Sequence, residues 1–478
     1  MLKFQNLIAG QWTGSDDHLV NINPSDTNDT IGEYAKATAA QASDAIGAAH
    51  HAFADWRHSS IQHRSDCLDA IGNEILARKN ELGRLLAREE GKTLPEGIGE
   101  ATRAGQIFKF FAGEALRIAG ETLQSVRPGI DIEVFRQPVG PIAIITPWNF
   151  PIAIPAWKIA PALAFGNTVV FKPAELVPGS AWALAEIISR VGLPNGVFNM
   201  IMGEGAEIGE PLLRDQRIKA VSFTGSTQTG AIVAEACSGR NARYQLEMGG
   251  KNPLIILNDC DLDNAVSCAI QGAYFSTGQR CTASSRFIVE AKIHDEFVEK
   301  VRRGIDELTV DHALADDTQI GPVVDRAQLE KNLRYIEIGK GEGAQLLTGG
   351  ETLERSTPGF FQKPALFVAT DDTMRINREE IFGPLASVIK VDDFDHAIAT
   401  ANNTSFGLSA GICTNSLRSA SRFKSESEAG MVMVNAPTAG VDYHVPFGGT
   451  KGSSFGPREQ GRYARDFYTV VKTAYTNP

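Results

Sequence analysis

Short apolar runs alternate with segments of helical periodicity between residues 141 and 247, and this pattern constrains the fold more than any other feature of the chain. The runs with the character of strands are 142–146, 168–172, 197–201, 220–223 and 243–247. The helical segments between them are 156–165, 180–191, 206–214 and 226–237. Strands joined by helices through short loops predict an α/β fold, in which helices cover both faces of a parallel, doubly wound sheet.

Polar turn segments follow three of the predicted strands. They are Pro-Trp-Asn at 147–149, Lys-Pro-Ala-Glu at 172–175 and Thr-Gly-Ser at 224–226. Because ligands of such sheets bind beyond the carboxyl ends of the strands, we expect a cofactor site there. Gly225 and Ser226 end a strand and open a helix, where backbone N–H groups can hold a pyrophosphate. A helix that is merely capped by Ser226 is the alternative.

Two glycine-rich runs invite comparison with the dinucleotide-binding fingerprint. The run 203–209 follows a strand, but its glycines are spaced one residue too widely. The run 339–344 has nearly the right spacing, yet it follows a helical pattern at 329–338. We therefore expect a loop at 339–344 rather than a phosphate-binding turn.

A nucleophile and a base stand out downstream. Cys281 lies among small residues and turn residues, and Glu247 precedes two glycines. A thiol is a good nucleophile, and a neighbouring base or cation increases its reactivity. Arg280 is such a cation unless its side chain points elsewhere. Taken alone, Cys281 also fits a buried cysteine that serves as a small hydrophobic residue.

Together these segments resemble the aldehyde dehydrogenase superfamily over essentially the whole chain. Seven motifs occur in the order typical of that family: TPWNFP (146–151), KPAE (172–175), FTGST (223–227), LEMGGK (246–251), GQRC (278–281), EIFGP (380–384) and PFGG (446–449). The run 439–460 is most similar to the subgroup of 2-oxoglutarate semialdehyde (2,5-dioxopentanoate) dehydrogenases.

The resemblance implies a domain organisation. Residues 1–120 and 139–248 would form a Rossmann-type NAD(P)-binding domain, and residues 249–448 an α/β catalytic domain. Residues 121–138 and 466–478 would form a small β bridging segment. The stretches 131–135 and 466–475 are rich in β-forming residues, and edge strands of this kind pair across subunits. A homodimer or homotetramer is therefore expected.

The resemblance also implies a mechanism. Cys281 would add to an aldehyde, the tetrahedral adduct would lose hydride to the coenzyme, and water would hydrolyse the resulting thioester. The Asn149 amide and the Cys281 backbone N–H would stabilise the oxyanion, and Glu247 would activate the water. Lys158 and Glu459 match an outer proton-relay pair, although a simple salt bridge fits them equally well.

The coenzyme contacts implied by the resemblance involve eight residues: Thr146, Trp148, Lys172, Glu175, Gly225, Ser226, Glu380 and Phe382. The Glu175 carboxylate can accept hydrogen bonds from both hydroxyls of an adenosine ribose, and it would repel a 2′-phosphate. We therefore predict NAD as the preferred coenzyme. Use of NADP stays open, because Lys172 partly offsets that repulsion.

The substrate side is less constrained. Phe150, Trp157 and Phe447 match tunnel positions of the family. Arg103 shares one face of a predicted helix with apolar residues, which suggests that its side chain points into this tunnel. The alternative is that Arg103 forms an ion pair with Glu100 or Glu96. A guanidinium in the tunnel suits the far carboxylate of an ω-oxo acid. Arg280 and Arg458 are lesser candidates for this role.

The identity of residue 157 bears on the choice of acid. Many succinate semialdehyde dehydrogenases carry a substrate-binding arginine where this chain has Trp157. This difference favours 2-oxoglutarate semialdehyde, with succinate semialdehyde or another small aldehyde as the alternative. A coenzyme A-acylating enzyme or a non-enzymatic family member is disfavoured, because neither needs Glu247 together with Cys281 and Lys172.

Composition excludes several classes of partner and of cellular location. The formal net charge of −11 disfavours nucleic acid and anionic membranes as partners. The uncharged stretch 139–157 contains four prolines, which are incompatible with a membrane-spanning helix. Six cysteines without a C-x-x-C pair, and no secretory signal at the start of the chain, predict a cytoplasmic protein. No histidine spacing matches a zinc site, so no metal is expected.

Overall fold

A computed structural model describes residues 3–478 of the chain. Its strands, in chain order, are β1 (Lys3–Phe4), β2 (Asn6–Ile8), β3 (Gln11–Thr13), β4 (His18–Asn23), β5 (Asp26–Ala35), β6 (Glu121–Gln124), β7 (Asp131–Pro138), β8 (Pro141–Ile145), β9 (Thr168–Lys172), β10 (Phe198–Met200), β11 (Ala220–Thr224), β12 (Arg243–Glu247), β13 (Asn252–Ile256), β14 (Ser284–Glu290), β15 (Gln345–Thr348), β16 (Ala365–Thr370), β17 (Leu385–Val391), β18 (Phe406–Gly407), β19 (Ser409–Cys413), β20 (Met431–Val434), β21 (Thr450–Lys451), β22 (Ser454–Phe455) and β23 (Thr469–Thr476).

The helices surround these strands. In chain order they are α1 (Ala39–Trp56), α2 (Ile61–Ala77), α3 (Lys79–Glu90), α4 (Leu94–Ala115), α5 (Ala153–Ala164), α6 (Pro178–Ser189), α7 (Gly205–Arg214), α8 (Thr227–Ser238), α9 (Leu262–Tyr274), α10 (His294–Asp306), α11 (Arg326–Gly341), α12 (Arg375–Arg378), α13 (Phe394–Asn402), α14 (Leu417–Glu426) and α15 (Arg465–Tyr468). None of the helices in the described range is long and apolar enough to cross a bilayer.

The predicted doubly wound sheet is present. Its order is β22-β12-β11-β8-β9-β10-β2-β3, and the five strands from β12 to β10 run parallel. Strands β9 and β11 are buried along their whole length, as expected for apolar strands covered on both faces. Antiparallel strands close both edges, with β22 beside β12 and β2 beside β10.

A second sheet lies in the following half of the chain. Its order is β15-β16-β17-β14-β13-β19-β20, and all its pairs except β15 with β16 are parallel. A separate three-stranded antiparallel sheet joins β6, β7 and β23, with Thr469 opposite Pro138 and Thr476 opposite Asp131. This small sheet brings together the two segments that the sequence predicts as a bridge.

Two local predictions were wrong. Gly339 and Gly341 lie inside α11 rather than in a loop. The missing Cβ of Gly339 lets the helix approach Phe367 on β16, where a Cβ atom would lie 2.9 Å from the ring. The predicted strand at 466–475 begins three residues late, because α15 turns Phe467 and Tyr468 into the core beside the first sheet.

Candidate active site

A cavity of about 1110 Å³ opens at the carboxyl ends of β8, β9, β11 and β12. Small-molecule sites commonly measure roughly 300–1,000 Å³, so this one has room for an extended ligand. All eight residues predicted to contact a coenzyme line it: Thr146, Trp148, Lys172, Glu175, Gly225, Ser226, Glu380 and Phe382. Asn149 and Cys281 line it as well. The sheet edge thus gathers residues from five separate motifs.

An ion pair occupies the end of β9. Lys172 Nζ lies 2.9 Å from Glu175 Oε1, and the same oxygen accepts the backbone N–H of Gly205 at 2.6 Å. Gly205 is the first residue of α7, so this carboxylate also satisfies a free donor at a helix start. Lys172 is buried, whereas Glu175 remains partly exposed to the cavity.

The start of α8 faces the same cavity. Ser226 caps the helix by accepting the N–H of Thr229 at 3.2 Å, and the Gly225 N–H donates to the Glu247 carbonyl at 3.0 Å. A Cβ on Gly225 would lie 2.6 Å from the Phe223 ring, so only glycine fits this turn. The remaining N–H groups of the first helical turn favour an anionic ligand.

Two residues after α12 complete the opposite wall. Glu380 accepts the Gly250 N–H at 2.9 Å, and burial raises the pKa of its carboxyl group. A Cβ on Gly249 would overlap that carboxyl group, which explains the glycine pair after Glu247. Phe382 has a left-handed backbone (φ 67°), and its ring meets Trp148 edge to face at 5.3 Å.

Lys331 on α11 is a cavity residue that sequence reasoning missed. Burial lowers the pKa of its ammonium group, and the Glu380 carboxylate partly opposes that shift. Gln328, one turn earlier, also lines the cavity and donates to the Ile381 carbonyl at 2.9 Å. In the sequence both residues read as polar positions on an exposed helix, because only the packing of α11 against the cavity gives them a ligand-facing role.

Cys281 follows the turn after α9 and is partly exposed to the cavity. Burial raises the pKa of its thiol to about 12, and the Glu380 and Glu247 carboxylates act in the same direction. Of the two possibilities considered for Arg280, the structure has the side chain pointing away from this thiol. The Arg280 guanidinium donates to Glu96 Oε1 at 2.9 Å and to Ser276 Oγ at 2.8 Å, so its charge is neutralised away from the sulfur.

The segment leading to Cys281 is conformationally strained. Ser276, Thr277 and Gly278 all have left-handed backbones, with φ of 52°, 57° and 65°. A non-glycine residue in this region costs about 1–3 kcal/mol. Side chains elsewhere compensate, since Glu96 accepts the Ser276 N–H at 2.9 Å and the Thr277 hydroxyl donates to the Gly321 carbonyl at 3.1 Å. The loop therefore depends on α4 for its shape.

Asn149 lies beside this loop. Its Nδ2 donates to the Gln279 carbonyl at 3.0 Å, two residues before Cys281, and the side chain is buried. A primary amide carries two N–H donors. One is used by Gln279, and the second is available to an oxygen atom near Cys281. The predicted oxyanion donor and the predicted nucleophile are therefore held on neighbouring segments.

Glu247 is the last residue of β12, and its carboxyl group is buried. It accepts the Ser454 hydroxyl at 2.5 Å across the β12–β22 pair. Burial raises its pKa well above the usual range, and the nearby Glu459 carboxylate raises it further. Lys158 forms a fully buried ion pair with Glu459 and also donates to Ser222 Oγ at 2.9 Å. A chain of titratable groups thus runs inward from Glu247.

Arg103 lies in a cluster of aromatic residues rather than in an ion pair. Its Cζ is 6.0 Å from the Trp157 ring centroid, and the Trp157 and Phe447 rings are 5.4 Å apart. Its Nη2 donates to Gln460 Oε1 at 3.2 Å, while its Nε is buried without a partner. Burial lowers the pKa of this guanidinium.

The two carboxylates considered as partners of Arg103 are engaged elsewhere. Glu100 pairs with Lys92 at 2.8 Å, and Glu96 pairs with Arg280. Sequence reasoning also missed Gln460, which has a left-handed backbone (φ 58°) and a buried Nε2 without an acceptor. The alternative of an ion pair within α4 is therefore wrong for Arg103.

The other predicted substrate residues are dispersed. The Phe150 ring is covered by the Lys92 ammonium group, 3.5 Å from the ring centroid. Arg458 donates to the Gly449 carbonyl, and its positive charge lowers the pKa of the Glu247 carboxyl group. With Arg280 bound to Glu96, Arg103 and Arg458 are the two candidates that form no ion pair within the described residues, and of these two Arg103 lies beside the Trp157 ring.

The model of the aldehyde dehydrogenase family matches residues 12–474. The chain belongs to the aldehyde dehydrogenase family. An α-ketoglutaric semialdehyde dehydrogenase of Bacillus subtilis is 42% identical, over 99% of this chain and 98% of that protein. An α-ketoglutarate semialdehyde dehydrogenase of Haloferax volcanii is 40% identical over 98% of each chain. A betaine aldehyde dehydrogenase of Staphylococcus aureus, solved in complex with NAD⁺, is 33% identical, superposes with a TM-score of 0.97, and covers 99% of this chain and 95% of its own.

These relatives confirm the family and the fold class that the seven motifs predict. The aldehyde dehydrogenase fold, with a Rossmann-type sheet and a second α/β sheet, extends over nearly the whole chain. The roles of the individual residues and the boundaries of the domains stay predictions. The geometry described above decides which of these roles are physically available.

Proposed function

We propose that this protein oxidises 2-oxoglutarate semialdehyde to 2-oxoglutarate with NAD(P) as coenzyme, through a thioester on Cys281. One observation carries the choice of substrate: a buried guanidinium, Arg103, has no carboxylate partner beside the predicted tunnel aromatics. The Glu100 and Asp442 carboxylates act on this guanidinium through space without forming an ion pair with it, so its buried donors are suited to an anionic ligand.

Covalent catalysis suits an aldehyde, because direct loss of hydride would leave an acylium-like centre. Addition of Cys281 Sγ gives a tetrahedral thiohemiacetal whose oxygen carries the developing charge. Asn149 Nδ2 and the Cys281 backbone N–H are the proposed donors to that oxygen. A bound NAD(P) supplies the hydride acceptor. Collapse of the adduct leaves a thioester, and water then releases the carboxylate.

Glu247 is the proposed base for the hydrolytic water. Its raised pKa makes the ionised form a stronger base than an ordinary carboxylate. The buried Lys158–Glu459 pair lies next to it and is the proposed route for the proton that Glu247 receives.

The cavity fits an NAD(P) coenzyme on three grounds. The start of α8 offers N–H groups for a pyrophosphate. Lys172 and Glu175 are suited to the hydroxyls of a ribose. The buried hydroxyls of Thr146 and Thr224, which both line the cavity, have no hydrogen-bond partner among residues 3–478. We propose a preference for NAD, because a 2′-phosphate would meet the Glu175 carboxylate.

Recognition of the acid is proposed to centre on Arg103. Its planar fork can grip a carboxylate through two parallel hydrogen bonds. Two further donors nearby, Trp157 Nε1 and Gln460 Nε2, are buried without acceptors and suit the 2-oxo oxygen. Succinate semialdehyde has the carboxylate but lacks this oxygen. The relatives from Bacillus subtilis and Haloferax volcanii, both named as dehydrogenases of α-ketoglutarate semialdehyde, support the same substrate.

Two variants test the chemistry. Cys281→Ala should abolish aldehyde-dependent NADH formation, because the thioester can no longer form. Glu247→Gln should retain a rapid burst of NADH while steady-state turnover falls. Assays with and without coenzyme A separate hydrolysis from acyl transfer, and full steady-state activity in either variant contradicts the assignment.

The substrate is tested with Arg103→Met, which keeps an unbranched apolar stem and removes the guanidinium. A hydrogen bond to a charged group contributes about 1.5–3 kcal/mol, so KM for 2,5-dioxopentanoate should rise about 10–100-fold. The KM for pentanal, which has the same chain length without the carboxylate, should change little. Arg84→Met, at an exposed position on α3, is the matched control. Equal effects on both aldehydes, or a wild-type preference for pentanal, would refute the anchor.

We also propose three structural units. The coenzyme unit comprises residues 1–120 and 139–248, the catalytic unit comprises 249–448, and the bridging unit comprises 121–138 and 466–478. The protein is further proposed to be a cytoplasmic homodimer or homotetramer. Exposed apolar side chains on the edge strands β6 and β23 support the assembly, among them Leu123, Val471 and Tyr475. Light scattering should give two or four times 51.5 kDa. A mass of one chain would contradict it.

A further inference from the structure

The ammonium group of Lys92 is buried between α4 and the segment that carries Asn149. Lys92 and Glu100 have side-chain exposures of only 2% and 1%, and Nζ lies 2.8 Å from Glu100 Oε2. Nζ also donates to the backbone carbonyl of Asn149 and lies 3.5 Å from the centroid of the Phe150 ring. A carboxylate, a carbonyl and an aromatic face thus replace the water that this cation loses on burial.

Glu100 holds the other end of the same segment. Its Oε1 accepts the backbone N–H groups of Ile152 at 3.0 Å and Ala153 at 3.1 Å. These are free donors at the start of α5, where a negative charge is also favoured by the helix dipole. One buried ion pair therefore grips residues 149–153 from both sides, through a carbonyl at its beginning and two amides at its end.

The Asn149 side chain projects from this clamped segment. Its Nδ2 reaches the Gln279 carbonyl at 3.0 Å, so the amide is already directed toward the Cys281 loop. Donors to an oxyanion work only within about 2.7–3.1 Å of the developing charge. A displacement of about 1 Å can cost as much as 10²-fold in rate. The position of the Asn149 backbone thus decides whether its side chain is useful.

We propose that Lys92, paired with Glu100, is a positioning residue that holds Asn149 in register with Cys281 for the hydride-transfer step. This inference rests on the proposed role of Asn149. Lys92 itself contacts no reacting atom. Its effect passes through the Asn149 carbonyl, so removing Lys92 should matter only while the Asn149 amide is present.

The test is a double-mutant cycle on the NADH burst, with Lys92→Met, Asn149→Ala and the double variant. Lys92→Met should slow the burst about 10–100-fold and change KM for the aldehyde less than threefold. In the Asn149→Ala background the same substitution should change the burst less than threefold, because the two residues act as one unit. Alkylation of Cys281 by iodoacetamide involves no oxyanion, and its rate should be unchanged by Lys92→Met.

Two further variants guard against a general loss of structure. Glu100→Gln keeps an acceptor for Ile152 and Ala153 but removes the ion pair, so it should slow the burst in the same direction by a smaller factor. Arg88→Met breaks an ion pair with Asp29 one turn before Lys92 without touching residues 149–153, and it should leave the burst intact. If Lys92→Met fails to fold, Glu100→Gln alone and with Asn149→Ala completes the cycle.

The outcomes separate the two proposals. Independent, multiplying losses in the cycle, or an equal fall in the alkylation rate, would overturn the positioning role while leaving Asn149 as an oxyanion donor. A normal burst in Asn149→Ala would overturn both the role of Asn149 and the inference drawn from it. An absence of aldehyde-dependent NADH formation in the wild type would contradict the proposed function instead.

Discussion

Ser454→Ala offers a direct measurement of how the protein tunes Glu247. The Ser454 hydroxyl donates to the Glu247 carboxyl at 2.5 Å, and this bond lowers a pKa that burial and Glu459 raise. The substitution removes the donor but leaves the backbone pairing of β12 with β22 in place. It also removes the acceptor of the Gly449 N–H, a bond of 2.7 Å at the same turn.

The magnitude follows from the type of hydrogen bond. A bond to an ionised group contributes about 1.5–3 kcal/mol, and one pKa unit corresponds to about 1.36 kcal/mol. Because the hydroxyl stabilises the charged form, its loss should raise the pKa of Glu247 by about 1–2 units. In the proposed mechanism, hydrolysis of the thioester needs ionised Glu247, so the rising part of the plot of kcat against pH should move to higher pH by the same amount.

Steady-state kcat measured between pH 5.5 and 10 tests this expectation. The NADH burst serves as an internal reference, because it precedes the step that uses Glu247 and should keep its wild-type pH dependence. Ser425→Ala, on the exposed face of α14, is the matched control. If the rise of kcat with pH is unchanged, or moves to lower pH, the Ser454 hydroxyl does not stabilise the ionised base.

Three shorter predictions follow from other charges. Glu175→Gln leaves Lys172 without its counter-ion, so the ratio of kcat/KM for NADP to that for NAD should rise about tenfold, equivalent to roughly 1.4 kcal/mol; a wild type that already prefers NADP would contradict this. In the coenzyme-free protein, alkylation of Cys281, followed by peptide mass spectrometry, should accelerate about tenfold per pH unit from pH 7 to 10, since its pKa is about 12; a plateau below pH 9 would count against burial of the thiol. Burial raises the pKa of Glu90 to about 8, so its contribution to stability is present below pH 4.5 and is lost as the pH rises toward 8. Glu90→Gln should therefore raise the thermal midpoint more at pH 8 than at pH 5, and an equal change at both values would refute it.

The coenzyme side shows where sequence reasoning succeeds. Trp148, Lys172 and Gly225 line one cavity because the carboxyl ends of neighbouring parallel strands meet at one edge of the sheet. Glu380 and Phe382 joined this set only through their motif, since no local pattern places residues from a distant loop beside these strands. Lys331 belongs neither to a predicted strand end nor to one of the seven motifs, and it was therefore missed.

The arginines show where sequence reasoning fails. The sequence left Arg103 open to the tunnel or to an ion pair with Glu96 or Glu100, and it left Arg280 open to a role beside Cys281 or at the substrate. The structure gives Glu96 to Arg280, a residue 184 positions away along the chain. Glu100 forms its ion pair with Lys92, and Arg103 forms no ion pair within the described residues. Helical spacing identifies neighbours within one helix, but it cannot weigh them against competitors from another segment.

The sequence by itself determined the alternation of strands and helices and the family, and it yielded the proposed nucleophile and base, because these depend on local patterns and contiguous motifs. The tertiary structure decided which charges are neutralised and which remain. The pKa of Glu247 depends on burial, on Glu459 and on Ser454, which is 207 residues away, and the pKa of Cys281 depends on burial and on Glu380. Electrostatic effects act through space and grow as water is excluded. They therefore arise only when folding brings distant segments together.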